Sequence, residues 1–244
     1  MNFTILPASF LVGLLIGLTS MGGSALMTPF LILIVGIRPV LAVGTDLAYN
    51  SITKLFGAWV HWRQGTVDLK VVLRLACGSV PGGILGALAV NQLHRTSLGA
   101  DHYIRSALGL GLVVVALVIL IQTFTGNVFS RAGFDTSRLQ RWAVIPWGAM
   151  VGFSVGFTSL GSGSLVAPFL LLLFQMSAAR VVGTTIFHAA ILTIVAALFH
   201  SSAGHVDWQL TPVLLAGAIP GIMLGSYLVP RLPQRAPLAA SRRS

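Results

Sequence analysis

The chain has 244 residues, 55% of them hydrophobic and only 8% charged, with a mean hydropathy of +0.90. Ordinary soluble domains carry about 25% charged residues, so this composition excludes that class and points to a polytopic, all-α membrane protein. The formal net charge of +10 does not indicate nucleic acid, because the basic residues lie in short connections between apolar runs and form no aromatic-interleaved patch.

Seven apolar segments follow one another, at roughly 7–36, 40–60, 69–90, 103–122, 142–175, 179–200 and 208–229. The amino end, Met1-Asn2-Phe3-Thr4, has no basic region or cleavage site, so the first segment reads as part of the mature protein. That segment is too long for one span of about 20 residues, and Thr19-Ser20-Met21-Gly22-Gly23-Ser24 interrupts it, with Pro29 downstream. Glycine and hydroxyl residues weaken the helix there and leave backbone amides open. In hydrocarbon such a break survives only where protein or a polar cavity surrounds it. A half-helix amino end then offers N–H groups to a negative charge. Ser20, Gly22, Gly23 and Ser24 are therefore candidate anion-binding positions. The plainer reading is close helix packing by small residues. No Gly-Lys-Ser/Thr follows, so this is not a nucleotide loop.

The second segment carries Gly44-Thr45-Asp46 with Asn50 and Lys54, and positions 46, 50 and 54 share one helix face. Charges inside hydrocarbon are costly, so this face is expected to point into the protein, with Lys54 as the fixed positive charge for an anion. Asp46 would relay a proton or neutralise; the alternative is that it lies near a helix end and reaches water. The turn that follows holds His61, Trp62 and Asp68. Segment three contains Pro81-Gly82, expected to allow close helix approach, and segment four reads as a plain lipid-facing span.

Segment five is again too long and contains Thr158-Ser159-Leu160-Gly161-Ser162-Gly163-Ser164, with Pro168 downstream. Ser159, Gly161, Ser162, Gly163 and Ser164 are the second set of candidates. Segment six adds Thr184 and His188, the latter able to titrate near neutral pH. His200 and Asp207 repeat the earlier turn. Two His and two Asp would suit a metal, but a turn clasp with Asp capping the next helix is the preferred reading. The single cysteine, Cys77, excludes disulfides and Cys-based metal sites. No metal or cofactor is expected.

Sliding the chain against itself by 139 positions aligns residues 12–93 with 151–232 without a gap, and about a third of the positions are identical. Gly17, Thr19, Ser20, Gly22 and Pro29 meet Gly156, Thr158, Ser159, Gly161 and Pro168. His61 meets His200, and Asp68 meets Asp207. Hydrophobic similarity alone does not align Pro, His and Asp in one frame. The expected organisation is therefore a first repeat of four segments over 1–122, a connection at 123–141, a second repeat of three segments over 142–232, and a basic tail at 233–244. The second copy has no counterpart of segment four.

Topology turns on the two long segments. If both cross the bilayer, the Lys and Arg outside the spans divide six to eight. If each enters, breaks and returns, the division is three (Arg38, Arg95, Arg105) to eleven, a strong bias that puts the tail in the cytoplasm. Two half-helices of roughly 12 residues suit such a hairpin, and three true spans per unit would invert the second copy.

At these residues the sequence resembles the TauE/SafE family of anion exporters, within the four-span-repeat anion transporter superfamily. The two glycine breaks with their prolines carry the resemblance, as do AVGTDLAYNSITK, VVGTTIFHAAIL and the paired HWRQGTVD and HSSAGHVDW turns. It covers nearly the whole chain, to about Leu232. It implies movement of sulfite, organosulfonates, thiosulfate or related small anions across the inner membrane, by a protein that is not an enzyme. Family members usually carry a final span and often a run of three glycines where this chain has Gly22-Gly23-Ser24. The expected partners are the small anion and the lipid bilayer, with no nucleic acid; homo-oligomerisation is left open. A non-transporting membrane scaffold and a proton or cation pathway through Asp46 and His188 are the competing readings.

Overall fold

In a computed structural model, residues 2–20, 23–95, 100–125, 136–174 and 176–231 are described, and all regular structure among them is helical. The order is α1 (Asn2–Thr19), α2 (Gly23–Leu33), α3 (Pro39–Arg63), α4 (Leu69–Arg95), α5 (Ala100–Thr125), α6 (Thr136–Thr158), α7 (Val166–Phe174), α8 (Ala178–Ser202) and α9 (Thr211–Leu228). Four of them (α4, α5, α8 and α9) have the length and apolarity to cross a membrane. The chain is an integral membrane protein. The tail from residue 232 and most of the connection around 126–135 lie outside the described residues.

Both long segments break where the glycines predict. Helix α1 ends at Ser20 and α6 at Ser159, residues 139 apart, and both serines are left-handed, with φ of +56° and +65°. A left-handed residue after the last helical turn is an ordinary helix stop for glycine, but a side chain there costs about 1–2 kcal/mol. The preceding threonines bond back onto the last turn: Thr19 Oγ1 donates to Leu15 O at 2.7 Å and Thr158 Oγ1 to Ser154 O at 2.8 Å.

The arms of the two hairpins are unequal, against the expectation of two halves of about 12 residues. They run 18 and 11 residues in the first hairpin, and 23 and 9 in the second. The reason is packing. The long arm α1 lies along α9, and α6 along α4, through rows of glycine that bring backbones into contact. Along α1, Gly13 meets Ala218 and Gly17 meets Gly225; along α4, Gly78 meets Ile145 and Gly86 meets Phe153. A Cβ at any of these positions would overlap main-chain atoms of the partner helix. Residue numbers rise together in both pairs, so each pair runs parallel. Pro81 and Pro220 sit inside α4 and α9, next to the contact glycines Gly82 and Gly221.

Helices α3 and α8 run in opposite directions at the centre. The loop after α3 seats on the start of α8, where the Asp68 amide donates to Thr184 Oγ1 at 3.0 Å. The loop after α8 seats on the start of α3, where the Asp207 amide donates to Thr45 Oγ1 at 2.9 Å. Gly44 and Gly183 let those loops touch the helix backbone. Lys70 and Arg180 consequently line one surface hollow of about 480 Å³, whereas Arg38 sits beside His205 at the other end. Helix α5 is mostly exposed, as expected of a lipid-facing span.

In a Cys77→Ala background, Lys70→Cys and Arg180→Cys should react with an impermeant maleimide from the same face of the membrane, and Arg38→Cys from the opposite face. Labelling of 70 and 180 from different faces would contradict this helix arrangement.

Candidate functional site

Helix α3 begins at Pro39, whose missing N–H and fixed φ suit the first turn. From Ala42 to Ser51 every residue is buried. Asp46 is 0% exposed and Lys54 2%, so neither reaches water along a helix end. A charge at such depth must be satisfied by protein groups.

The two breaks supply those groups. Asp46 Oδ2 accepts from Thr28 Oγ1, in the first hairpin, at 2.9 Å, and from the Ser159 hydroxyl of the second. Asn50 Nδ2 donates to Asp46 Oδ1 at 3.0 Å, as its i+4 position allows. One turn further, Lys54 Nζ donates to Ser162 Oγ at 2.8 Å. A Cβ at Gly23 would overlap the Ile16 side chain and come close to Asn50 Oδ1. Thus the charged face of α3 is the surface on which both hairpin tips meet.

The second tip is buried from Ser159 to Pro168. Its backbone bonds run from Ser159 N–H to Val155 O, Leu165 N–H to Gly161 O, and Ala167 N–H to Gly163 O. Among the described residues, the amides from Gly161 to Ser164 take no part in these. Gly161 adopts φ +100°, which turns the chain so that Ser162 reaches Lys54. Ser20 and Ser159 mark the two helix stops. Ser24 is the second residue of α2, and Gly22 lies outside the described residues.

Helix α8 faces this cluster with a different chemistry. His188 Nε2 shares a 2.7 Å hydrogen bond with Ser79 Oγ of α4, and His188 lies within electrostatic reach of Lys54. Thr53 Oγ1, Thr185 Oγ1 and His188 Nδ1 are buried and make no hydrogen bond among the described residues. Thr185 is the repeat counterpart of Asp46, so a hydroxyl replaces a carboxylate and the charged face exists once. The predicted residues Thr45 and Thr184 are elsewhere engaged: their hydroxyls hold the loops after α8 and α3. Four contributors, Thr28, Thr53, Ser79 and Thr185, escaped the sequence reading. Thr53 could have been found on the 46–50–54 face, whereas Thr28 and Ser79 carry no local signal.

The matching turns are clasps. Asp68 Oδ1 accepts from the Lys70 and Val71 amides and so caps α4, and Asp207 Oδ1 accepts from the Gln209 and Leu210 amides in the turn that leads into α9. His61 Nδ1 meets Thr66 Oγ1 at 2.9 Å and His200 Nε2 meets Gly156 O at 2.8 Å. The four residues thus take structural partners at opposite ends of the molecule. In the second clasp His205 packs between His94 and His200, with ring centroids at 5.1 and 5.7 Å. Burial, then the neighbouring His200 and His94 rings and the Arg38 guanidinium, push the His205 imidazole down to about 4.

The family model for the sulfite exporter TauE/SafE matches residues 5–240. A Bacillus subtilis (strain 168) protein called "Probable membrane transporter protein YjnA" is 43% identical over 248 residues, covering 96% of this chain and 93% of that one. A second from the same organism, YdhB, is 26% identical over 94% of this chain and 91% of its own length. A "Probable membrane transporter protein" of Xylella fastidiosa (strain 9a5c) is 25% identical over 91% and 82%. No solved structure matches the chain.

The lowered His205 value sets a direction for stability. As pH falls, the unfolded imidazole takes its proton near 6.5 and the folded one only near 4, so stability is full above about 6.5 and declines between the two values. The thermal midpoint in detergent should drop from pH 7.5 to 4.5, and His205→Gln should flatten that slope; an unchanged slope would contradict the assignment.

Proposed function

The chain belongs to the TauE/SafE sulfite exporter family, and from that premise we propose that this membrane transporter moves small sulfur-containing oxyanions through a site at the meeting of its two hairpin tips. The observation that carries the reading is the bond from Lys54 Nζ to Ser162 Oγ, beside the amides of Gly161–Ser164. Lysine here satisfies itself with a neutral hydroxyl. A sulfite or sulfonate oxygen is a stronger acceptor for an ammonium, because charge-assisted bonds are about twice as strong as neutral ones. An arriving anion would displace Ser162, take Lys54 as its counter-charge, and fill its remaining oxygens from the tip amides and from Thr53, Thr185 and His188. Asp46 stays tied to Thr28, Ser159 and Asn50, which fixes both tips on α3 and keeps its negative charge away from the anion.

The inner membrane is the expected location, with the Lys70 and Arg180 end in the cytoplasm. Transport would proceed by alternating access. Two rigid glycine-packed pairs, α1 with α9 and α4 with α6, flank the antiparallel α3 and α8, and contacts repeat at the 139-residue offset. That arrangement supports an inverted pair of repeats rocking about α3 and α8. The hairpins open toward opposite ends, so either tip can serve as the gate of its own side.

Purified protein in liposomes should take up labelled sulfite and a sulfonate, and Lys54→Ala should reduce uptake by roughly tenfold or more, the scale of a charge-assisted bond of about 1.5–3 kcal/mol. Unchanged uptake with Lys54→Ala would defeat the assignment. Proton flux independent of the anion would favour the pathway through Asp46 and His188, and absence of any flux would favour a scaffold.

A further inference from the structure

The side of α3 turned away from the charged row carries Leu55, Phe56 and Trp59, which are 49%, 38% and 53% exposed. Together with α9 it forms two hollows of about 500 and 520 Å³ that share Trp59 and Met223, and so make one groove. The groove is graded along its length. Its deep half is lined by Leu55, Phe56 and Met223, and its outer half, where α3 ends, by Arg63, Gln64 and Tyr227.

Two guanidinium groups are held at that outer rim by aromatic rings. Arg63 lies 5.9 Å from the Trp59 ring centroid, and Arg231 lies 3.7 Å over the Tyr227 ring and donates to its hydroxyl. Neither has a carboxylate partner among the described residues. Among the described residues the acid at this end, Asp68, caps α4 and lines a different hollow. At the same rim, Gln64 Oε1 is a buried acceptor with no hydrogen-bond donor among the described residues. Buried acceptors of this kind are costly unless something donates to them.

We propose that this groove between α3 and α9 binds an acidic glycerophospholipid with a hydroxylated headgroup, of the phosphatidylglycerol class. An acyl chain would lie along Leu55, Phe56, Trp59 and Met223. The phosphate would sit between Arg63 and Arg231, and a headgroup hydroxyl would donate to Gln64. The gradient from apolar trough to cationic rim matches a lipid standing in its leaflet. The rim lies at the end of the molecule that carries the excess of basic residues, where acidic headgroups are attracted. The site shares no residue with the one around Lys54, so it stands whether or not that one carries sulfur oxyanions.

Native mass spectrometry of the detergent-purified full chain tests this, with phosphatidylglycerol, phosphatidic acid and phosphatidylcholine of identical acyl chains as probes. Phosphatidylglycerol should be retained over phosphatidylcholine, with roughly fivefold from each arginine. The Arg63→Ala/Arg231→Ala double variant should lose that preference while still binding phosphatidylcholine. Gln64→Leu should weaken phosphatidylglycerol but not phosphatidic acid, which has no headgroup hydroxyl to donate. Equal retention of phosphatidylglycerol and phosphatidylcholine by the wild type would overturn the proposal, and needs no variant to fold. So would full displacement of the lipid by millimolar inorganic phosphate, or a dimer that Trp59→Ala dissociates, which would make a second copy the occupant.

Discussion

A carboxylate and an ammonium, two helical turns apart in the middle of α3, must be satisfied without water. Insertion scales put each such charge at about 3 kcal/mol or more in hydrocarbon, and neither Asp46 nor Lys54 touches solvent. The polar groups that meet this need come from the two broken segments. Thr28 follows the first break, and Ser159 and Ser162 belong to the second. Each feature supports the other: the broken segments tolerate membrane depth because α3 covers them, and α3 tolerates its charges because the breaks present hydroxyls.

The same economy shapes the scaffold. Membrane helices gain little from hydrophobic contact with each other, so close backbone approach through small residues takes its place. The glycine rows between α1 and α9 and between α4 and α6 bring each long arm against a helix from the other half of the chain. Those pairings fix direction as well as distance, because parallel rows interlock in one register. The loops that seat on Gly44 and Gly183 then set α3 and α8 antiparallel. The result is a central pair bearing the polar residues, flanked by two tightly packed pairs.

Much of this was legible in the chain. The breaks stand out because glycine and serine cluster inside segments too long for one span, and structure interrupts α1 and α6 at Ser20 and Ser159. The face of Asp46, Asn50 and Lys54 follows from a spacing of four. Asp68 caps α4 as its position ahead of an apolar run suggests. What could not be read is what depends on long-range partners. The arms are unequal because α9 and α4, far away in sequence, set how far α1 and α6 extend. Thr28 and Ser79 are ordinary residues in apolar helices until folding puts Asp46 and His188 beside them. Thr45 and Thr184 follow conspicuous glycines beside the charged face, yet their hydroxyls serve the loops, since a loop amide arrives there first.

The central claim is that an anion takes Ser162's place on Lys54. Ser162→Cys in a Cys77→Ala background offers the most direct measurement, through the rate at which a maleimide modifies that thiol in reconstituted protein. Methanesulfonate, an inert sulfonate, should slow modification saturably, with half-effect at the concentration that half-inhibits labelled sulfite transport. A rate indifferent to methanesulfonate, in protein whose sulfite transport that anion competes with, would contradict the claim.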